Sequence, residues 1–376
     1  MKLLELEAIR VAMPLVSPFR TSFGTETDRD VLLLRGVAES ADGEQVQGWA
    51  ECVTDKHPFY SSEYVNGSQD VLASYLVPAL LAAAGGRPLT PAMVGPATAR
   101  VTGHPMAKAA LESVVLDLWL RMHRMSLADY LGATRATVDC GVSVGIMDSI
   151  PELLDAVSGY LEAGYVRIKL KIEPGWDVEA VRAVRERFGD IVLQVDANTA
   201  YTRQDAAHLA RLDPFDLLLI EQPLAADDVR GHALLSRTVR TPICLDESIH
   251  SVRDAADAIA LDAAQIINIK PGRVGGYLEA RRIHDLCAAN GIAVWCGGML
   301  ETGIGRAANL ALAAMDNFTL PGDTSASDRY YAQDITEPFV LAEGTLDVPT
   351  GPGIGIDPID DVLSELTTER QVLLPR

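Results

Sequence analysis

The chain is short of residue types from which many sites are built. Its five cysteines, Cys52, Cys140, Cys244, Cys287 and Cys296, are odd in number, widely spaced and never arranged as CxxC. That spacing indicates neither a disulfide framework nor a zinc knuckle. The seven histidines, His208 and His284 among them, show no HxH or HExxH pattern, so they are read as surface or core residues. Basic residues are scarce: 32 Lys and Arg stand against 52 Asp and Glu, a net charge of −20 with a pI near 4.7. This excludes nucleic acid as the main partner, because phosphate binding needs a basic footprint. No window approaches the roughly 18 uninterrupted apolar residues of a membrane span. The opening MKLLELEAIRVAMPL breaks its apolar run with charge and offers no signal-peptide core. The expectation is a soluble, reduced, cytoplasmic protein without a membrane partner.

What is present is a repeat. YVRIKLKIEP (165–174) alternates Val166, Ile168, Leu170 and Ile172 with Arg167, Lys169 and Lys171, so a strand here aims three cations in one direction. DIVLQVDANTAY, FDLLLIEQPL, TPICLDESIH, AAQIINIKPG and IAVWCGGMLETG follow. Each apolar run but the last closes on a charged residue at a near-constant interval: Lys171 to Asp196, Asp196 to Glu221 and Glu221 to Asp246 are each 25 residues, and Asp246 to Lys270 is 24. Amphipathic segments lie between them. WDVEAVRAVRERFGD has Asp177 as N-cap and Val178, Val181, Val184 and Phe188 on one stripe; YTRQDAAHLARLDPFD has Thr202 as cap. Strand and helix alternating at this spacing mark parallel βα units. Strands are expected near Asp139, Lys169, Asp196, Glu221, Asp246, Lys270 and Trp295, with a weaker one over Phe318–Asp323. The fold class is therefore α/β: a closed (β/α) barrel of seven or eight strands, TIM-like, in a modified (β/α)7β form. Residues 1–130, with antiparallel strand patterns and two helical segments, are expected to form an α+β capping domain, residues 131–340 the barrel, and residues 341–376 a segment packing back on the capping domain.

In such a barrel the site lies where the C-terminal strand ends meet. The cations of RIKLK then face inward, Lys171 nearest the mouth, towards Asp196, Glu221 and Asp246. Three carboxylates in regular register suit a hard divalent cation, Mg²⁺ above all, with Mn²⁺ as a substitute. Glu247 points to the other side of its strand and stands behind the ligands. Lys171 and Lys270, on the second and sixth strands of eight, should face each other across the mouth. Two opposed bases and one metal fit removal of the proton next to a carboxylate, whose enolate a divalent cation stabilises. Lys169 and Arg273 add like charge that favours a neutral amine. The bland alternative is that the lysines simply neutralise the acids. GVSVG (141–145) matches a nucleophile elbow, but the pattern is short; in the barrel Ser143 ends the first strand and can hydrogen-bond a substrate. GIGRAA (303–308) matches a dinucleotide fingerprint but follows the seventh strand; a helix N-terminus binding a substrate carboxylate explains its glycines better. PFRTSFGT, with Phe19 and Phe23, is either a mobile substrate loop or an ordinary hairpin turn.

KLK at 169–171, DAN at 196–198, EQP at 221–223, DES at 246–248 and KPGRVGG at 270–276 together resemble the enolase superfamily over nearly the whole chain. GWAEC, PFYSSEY and GGMLETGIGRAANLALA resemble its o-succinylbenzoate synthase and N-acylamino acid racemase subgroup; Thr302 departs from an expected Ser. The resemblance implies Mg²⁺ on Asp196, Glu221 and Asp246, with Lys171 and Lys270 as the acid/base pair. It also implies a pocket lined by Asn198, Ser143 and the loop Gly297, Gly298, Met299 to Glu301, and Arg273 as a residue typical of racemase members. The implied substrate is a small carboxylate. The implied activity is o-succinylbenzoate synthesis on the way to menaquinone, racemisation of N-succinyl amino acids, or both. Dipeptide epimerisation and muconate cycloisomerisation are the alternatives within the superfamily. A homo-oligomer is the expected state.

Overall fold

The computed structural model describes residues 1–375. The chain opens with three strands, β1 (Lys2–Thr21), β2 (Gly24–Glu39) and β3 (Gln45–Cys52), followed by helical segments that include Pro105–Met122. A short strand β4 (Thr137–Asp139) precedes β5 (Gly141–Val144), β6 (Arg167–Lys171), β7 (Leu193–Asp196), β8 (Ile220–Glu221), β9 (Ile243–Leu245), β10 (Ile266–Ile269) and β11 (Ala293–Cys296). β12 (Thr345–Asp347) and β13 (Thr367–Leu374) complete the set. β13 adds to the N-terminal sheet, whose order is β13-β1-β2-β3 with every pair antiparallel. No helix among the described residues is long and apolar enough to cross a membrane.

β5 to β11 form one parallel sheet in chain order. The segment after β11 closes it into a ring. Phe318 bridges Val294 of β11, Gly322 bridges Cys140 beside β5, and the Gly141 and Asp323 amides donate to Gly322 O (2.8 Å) and Cys296 O (2.9 Å). The weak strand expected at Phe318–Asp323 is thus an irregular eighth stave. The first barrel strand, expected near Asp139 with Ser143 at its end, is β5, and the short β4 just before it pairs antiparallel with β12. The segment capped by Thr202 is not one helix but a short α-turn (Ala206–Leu209) between 3₁₀ turns, with Pro214 in the second. Proline cannot supply the N–H that a continuing α-helix needs.

Strand alternation divides the apolar from the charged side chains. Ile168, Leu170 and Val195 point outward into the main core, shared with helix residues such as Val181, Val184 and Ala255. Inside the barrel a separate apolar cluster of Leu219, Cys244, Ile266 and Trp295 fills the floor. Arg167 lies above it, cationic over Trp295 at 5.4 Å. A Cβ on Gly141 would stand 2.2 Å from Arg167 Cζ, so only glycine lets that side chain turn inward.

Two buried glutamates of the N-terminal layer cap barrel helices. Glu112, on Pro105–Met122, accepts from Leu278 N at 3.0 Å at the start of helix Tyr277–Ala289. Glu51, on β3, accepts from Thr302 N, Gly305 N and Thr302 Oγ1 at 3.1, 3.1 and 2.7 Å, while Asp334 takes Gly303 N at 2.9 Å. This overturns the reading of GIGRAA as a carboxylate-binding helix terminus. The Gly303 and Gly305 N–H groups at the start of helix Gly303–Ala313 are already taken by the protein's own acids.

Burial pushes Glu112 up to about 7, against the amides that pull it down. Burial and then the nearby Glu301 push Glu51 up to about 8. The folded state therefore keeps the Glu112 proton to about pH 7, whereas an ordinary glutamate releases it near 4.5. Stability must fall as pH rises through that window, by up to ~1.4 kcal/mol per pH unit for each proton held. Melting temperatures between pH 5 and 8 should drop with rising pH. Glu112→Gln, which keeps an acceptor but cannot titrate, should flatten that slope; an unchanged slope would show the carboxyl to be ionised throughout.

Candidate active site

The C-terminal rim of the barrel gathers the charged residues of the repeat. Lys171 and Asp196 are register partners on β6 and β7, and Asp196 and Glu221 on β7 and β8. Asp196, Glu221 and Asp246 are all buried. Lys171 Nζ donates to Asp196 Oδ2 at 2.6 Å and Asn198 Oδ1 at 2.7 Å. Lys270 Nζ donates to Asp246 Oδ2 at 2.9 Å, and Arg273 pairs with Asp246 Oδ1. Lys169 Nζ donates to Glu221 Oε2 at 3.0 Å and lies 3.4 Å from Asp196 Oδ2. Asn198, in the turn after β7, has φ +41°, a conformation asparagine tolerates well. It donates from Nδ2 to Glu247 Oε1 at 3.0 Å, which ties Glu247 to the rim through Asn198.

Arg273 was expected to push Lys270 towards the neutral amine, and it does, as does burial; Asp246 and Tyr60 outweigh both and hold the ammonium well above its usual range. Lys169 is likewise held charged, burial being outweighed by Asp323, Glu221 and Asp196. Burial alone would raise Asp246, yet Arg273 and Lys270 bring it below the ordinary carboxylate range. Burial and then Asp196 push Glu221 up.

A cleft of about 370 Å³ opens over this rim, and Phe19, Phe23, Tyr60, Lys171, Asn198, Lys270, Gly298, Met299 and Leu300 line it. The PFRTSFGT stretch is a hairpin: β1 and β2 join at Ser22–Phe23, and Ser22 Oγ donates to Asn198 O at 2.9 Å. The turn also reaches the mouth, with Phe19 and Phe23 in the cleft lining. Gly297 allows a close approach, since a Cβ there would stand 2.8 Å from Lys270 Cε. Two expected pocket residues do not line this cleft. Ser143 pairs in register with Lys169, a step below Lys171; it is buried, and its hydroxyl finds no partner among the described residues. Glu301 turns away to accept from Asn309 Nδ2 at 2.9 Å and lines an enclosed cavity of about 30 Å³ beside Trp49 and Glu51. Its backbone belongs to the mouth loop, but its side chain is drawn to a partner about two turns along the following helix.

Three residues escaped sequence reasoning. Asp323, on the eighth stave, accepts from Lys169 Nζ at 2.5 Å and Arg167 Nη2 at 2.9 Å. Its signal was present: it ends the weak strand FTLPGD, as the other acids end theirs. Asn268 donates from Nδ2 to Glu221 Oε1 at 2.7 Å and shares the inward parity of Lys270. Tyr60 accepts from Lys270 Nζ at 3.1 Å across 210 residues of chain, a distance no local pattern could bridge.

The model of the family described as Enolase C-terminal domain-like matches residues 152–362. The chain is 66% identical over 371 residues to a protein of Amycolatopsis sp named N-succinylamino acid racemase, covering 98% of this chain and 99% of the relative. It is 48% identical over 347 residues to an o-succinylbenzoate synthase of Geobacillus kaustophilus, covering 92% of this chain and 90% of the relative. A crystal structure of an enolase-superfamily member from Listeria innocua Clip11262 superposes with a TM-score of 0.93 at 39% identity, over 100% of this chain and 99% of that one.

Asp323 is the counter-charge for two buried cations. Removing one partner from a buried ion pair costs about 3–5 kcal/mol, because the other charge stays buried and unmatched. Asp323→Ala should lower the urea midpoint accordingly. A midpoint equal to that of the native chain would show that Glu221, Asp196 and Trp295 suffice to hold Lys169 and Arg167.

Proposed function

We infer that this chain, which belongs to the enolase superfamily, is an enzyme that abstracts the proton α to a carboxylate through an enediolate intermediate, racemising N-succinyl amino acids. The observation that carries this reading is the opposed pair of lysines. Lys171 ends β6 and Lys270 follows β10, four strands apart in a ring of eight, and both line the same cleft. Racemisation needs a proton acceptor on each face of the α-carbon. In this assignment Lys171 and Lys270 alternate as base and acid, each facing one hydrogen. Phe19, Phe23, Met299 and Leu300 offer apolar surface for the remainder of the substrate and keep water from the reacting carbon.

Members of the superfamily generally use Mg²⁺. In this structure the carboxylates of Asp196, Glu221 and Asp246 are engaged by lysine, arginine and asparagine, and no three acids among the described residues converge on one point. The donor chemistry nonetheless fits. Three buried carboxylates on neighbouring strands form an all-oxygen set suited to a hard cation, and Glu247 Oε2 behind them has no partner among the described residues. Asp196, Glu221 and Asp246 would hold the ion. When bound, Mg²⁺ would supply positive charge that stabilises the enediolate. Lys169, next to Asp196 and Glu221, adds fixed positive charge at the carboxylate end of the site.

A second activity, o-succinylbenzoate synthesis by elimination of water, is favoured by the synthase relative and by the same Lys171 base. Elimination needs proton removal from one face alone, and there Lys270 serves as a cation beside the developing charge.

Two measurements test these assignments. EDTA should abolish turnover and Mg²⁺ or Mn²⁺ restore it; full activity in metal-free buffer would remove the three acids from the ligand role. Lys171→Ala should eliminate both racemisation and synthesis. Lys270→Ala should eliminate racemisation yet leave measurable synthesis, and racemisation at the native rate in that variant would refute the two-base assignment.

A further inference from the structure

The two lysines are held in parallel ways. Each donates to one acid and to one neutral oxygen: Lys171 to Asp196 and to Asn198 Oδ1, Lys270 to Asp246 and to Tyr60 Oη. An ammonium group has three N–H directions. With two of them tied to protein oxygens, the third is left for the cleft that both lysines line. The acids alone would leave each amine free to swing about a single anchor; the neutral oxygen supplies the second point that sets its direction.

The two neutral oxygens come from different parts of the fold. Asn198 sits in the barrel, immediately after β7, and its backbone is pinned by Asn198 N donating to Asp196 Oδ1 at 2.9 Å. Tyr60 comes from the N-terminal layer, in the loop between β3 and helix Val65–Val71. Its hydroxyl also accepts from Arg273 Nη1 at 3.3 Å, and Lys270 Nζ lies 5.2 Å from its ring centroid. Phe23, at the β1–β2 turn, meets the ring edge-on at 5.5 Å between centroids. Two separate segments of the N-terminal layer thus fix a hydroxyl against Lys270; on the Lys171 side the layer offers the Phe19 ring, 6.0 Å from Nζ, and a hydrogen bond from Ser22 to the Asn198 backbone, but no oxygen to the amine itself.

We propose that Tyr60 is a positioning residue for Lys270, the counterpart of Asn198 for Lys171, so that alignment of the base on one face of the α-carbon depends on the N-terminal layer. The proposal rests on the two-base reading above. It predicts an asymmetry between enantiomers that a packing role cannot produce: loss of the hydroxyl should impair proton transfer on the Lys270 face and spare the Lys171 face.

Exchange of the α-hydrogen in D₂O, followed by proton NMR on each enantiomer of an N-succinyl amino acid separately, reads the two faces independently. Lys270→Ala identifies the enantiomer whose proton Lys270 handles, as the one whose exchange is lost. Tyr60→Phe keeps the ring and its contact with Phe23 and removes only the oxygen. It should lower kcat for exchange of that same enantiomer roughly 10- to 10²-fold, the scale of a small misalignment of a reacting group. KM should change little, and exchange of the other enantiomer should stay near the native rate. An equal loss for both enantiomers, a rise in KM alone, or no change would each overturn the positioning role. If Lys270→Ala exchanges both enantiomers, the two-base reading itself fails and takes this role with it, an outcome distinct from failure of Tyr60→Phe alone.

Discussion

Matched charge inside the barrel is the constraint on which the rest of the structure depends. Arg167, Lys169, Lys171, Lys270 and Arg273 are buried there together with Asp196, Glu221, Asp246, Glu247 and Asp323. An isolated ion in that environment would carry a desolvation penalty of several kcal/mol, which pairing offsets for all of them but Glu247, whose only partner is the Asn198 amide. The pairs follow the barrel's geometry. Arg167 and Lys169 share Asp323, Lys169 also reaches Glu221, Lys171 takes Asp196, and Lys270 and Arg273 divide the two oxygens of Asp246. A parallel barrel suits this arrangement because every second residue of every strand points to the same axis. Two lysines and three acids can thus be brought to one rim without any of them sitting on a flexible loop.

The same balance explains why the site has two components. The barrel supplies the acids and the cations, but its rim is open. The N-terminal layer covers it with Phe19, Phe23 and Tyr60 and is itself clamped by glutamates that reach into barrel helix ends. Capping a helix N-terminus with an acid from another layer satisfies orphan amides and sets the relative placement of the two parts in one contact. The placement matters chemically, since Tyr60 must meet a lysine amine at hydrogen-bonding distance. Reaction geometry on one face of the substrate is thereby tied to the docking of a layer that contributes none of the acids.

Much of this was legible in the chain before any coordinates. Alternation in RIKLK placed its cations on one face, and the regular spacing of Lys171, Asp196, Glu221, Asp246 and Lys270 implied parallel βα units with polar strand ends at a common rim. These features are local, with periods of two residues along a strand and one βα unit between strands, and local sterics dictate them whatever the distant partners are.

What the tertiary structure decided was every relation that depends on which distant groups meet. The first barrel strand starts at Gly141 because Thr137–Asp139 is claimed by Thr345–Asp347 some 200 residues away. The GIGRAA helix terminus binds no outside carboxylate because Glu51 and Asp334 reach it first. Lys270 is held charged, not neutral, because Asp246 and Tyr60 outweigh both its burial and Arg273. Asp323, Asn268 and Tyr60 joined the site through contacts spanning 154, 47 and 210 residues. Sequence by itself determined which side chains face inward and in what order. The protonation and direction of those side chains were set only when the ring closed and the N-terminal layer docked, because electrostatic and hydrogen-bond energies depend on separation in space and not along the chain.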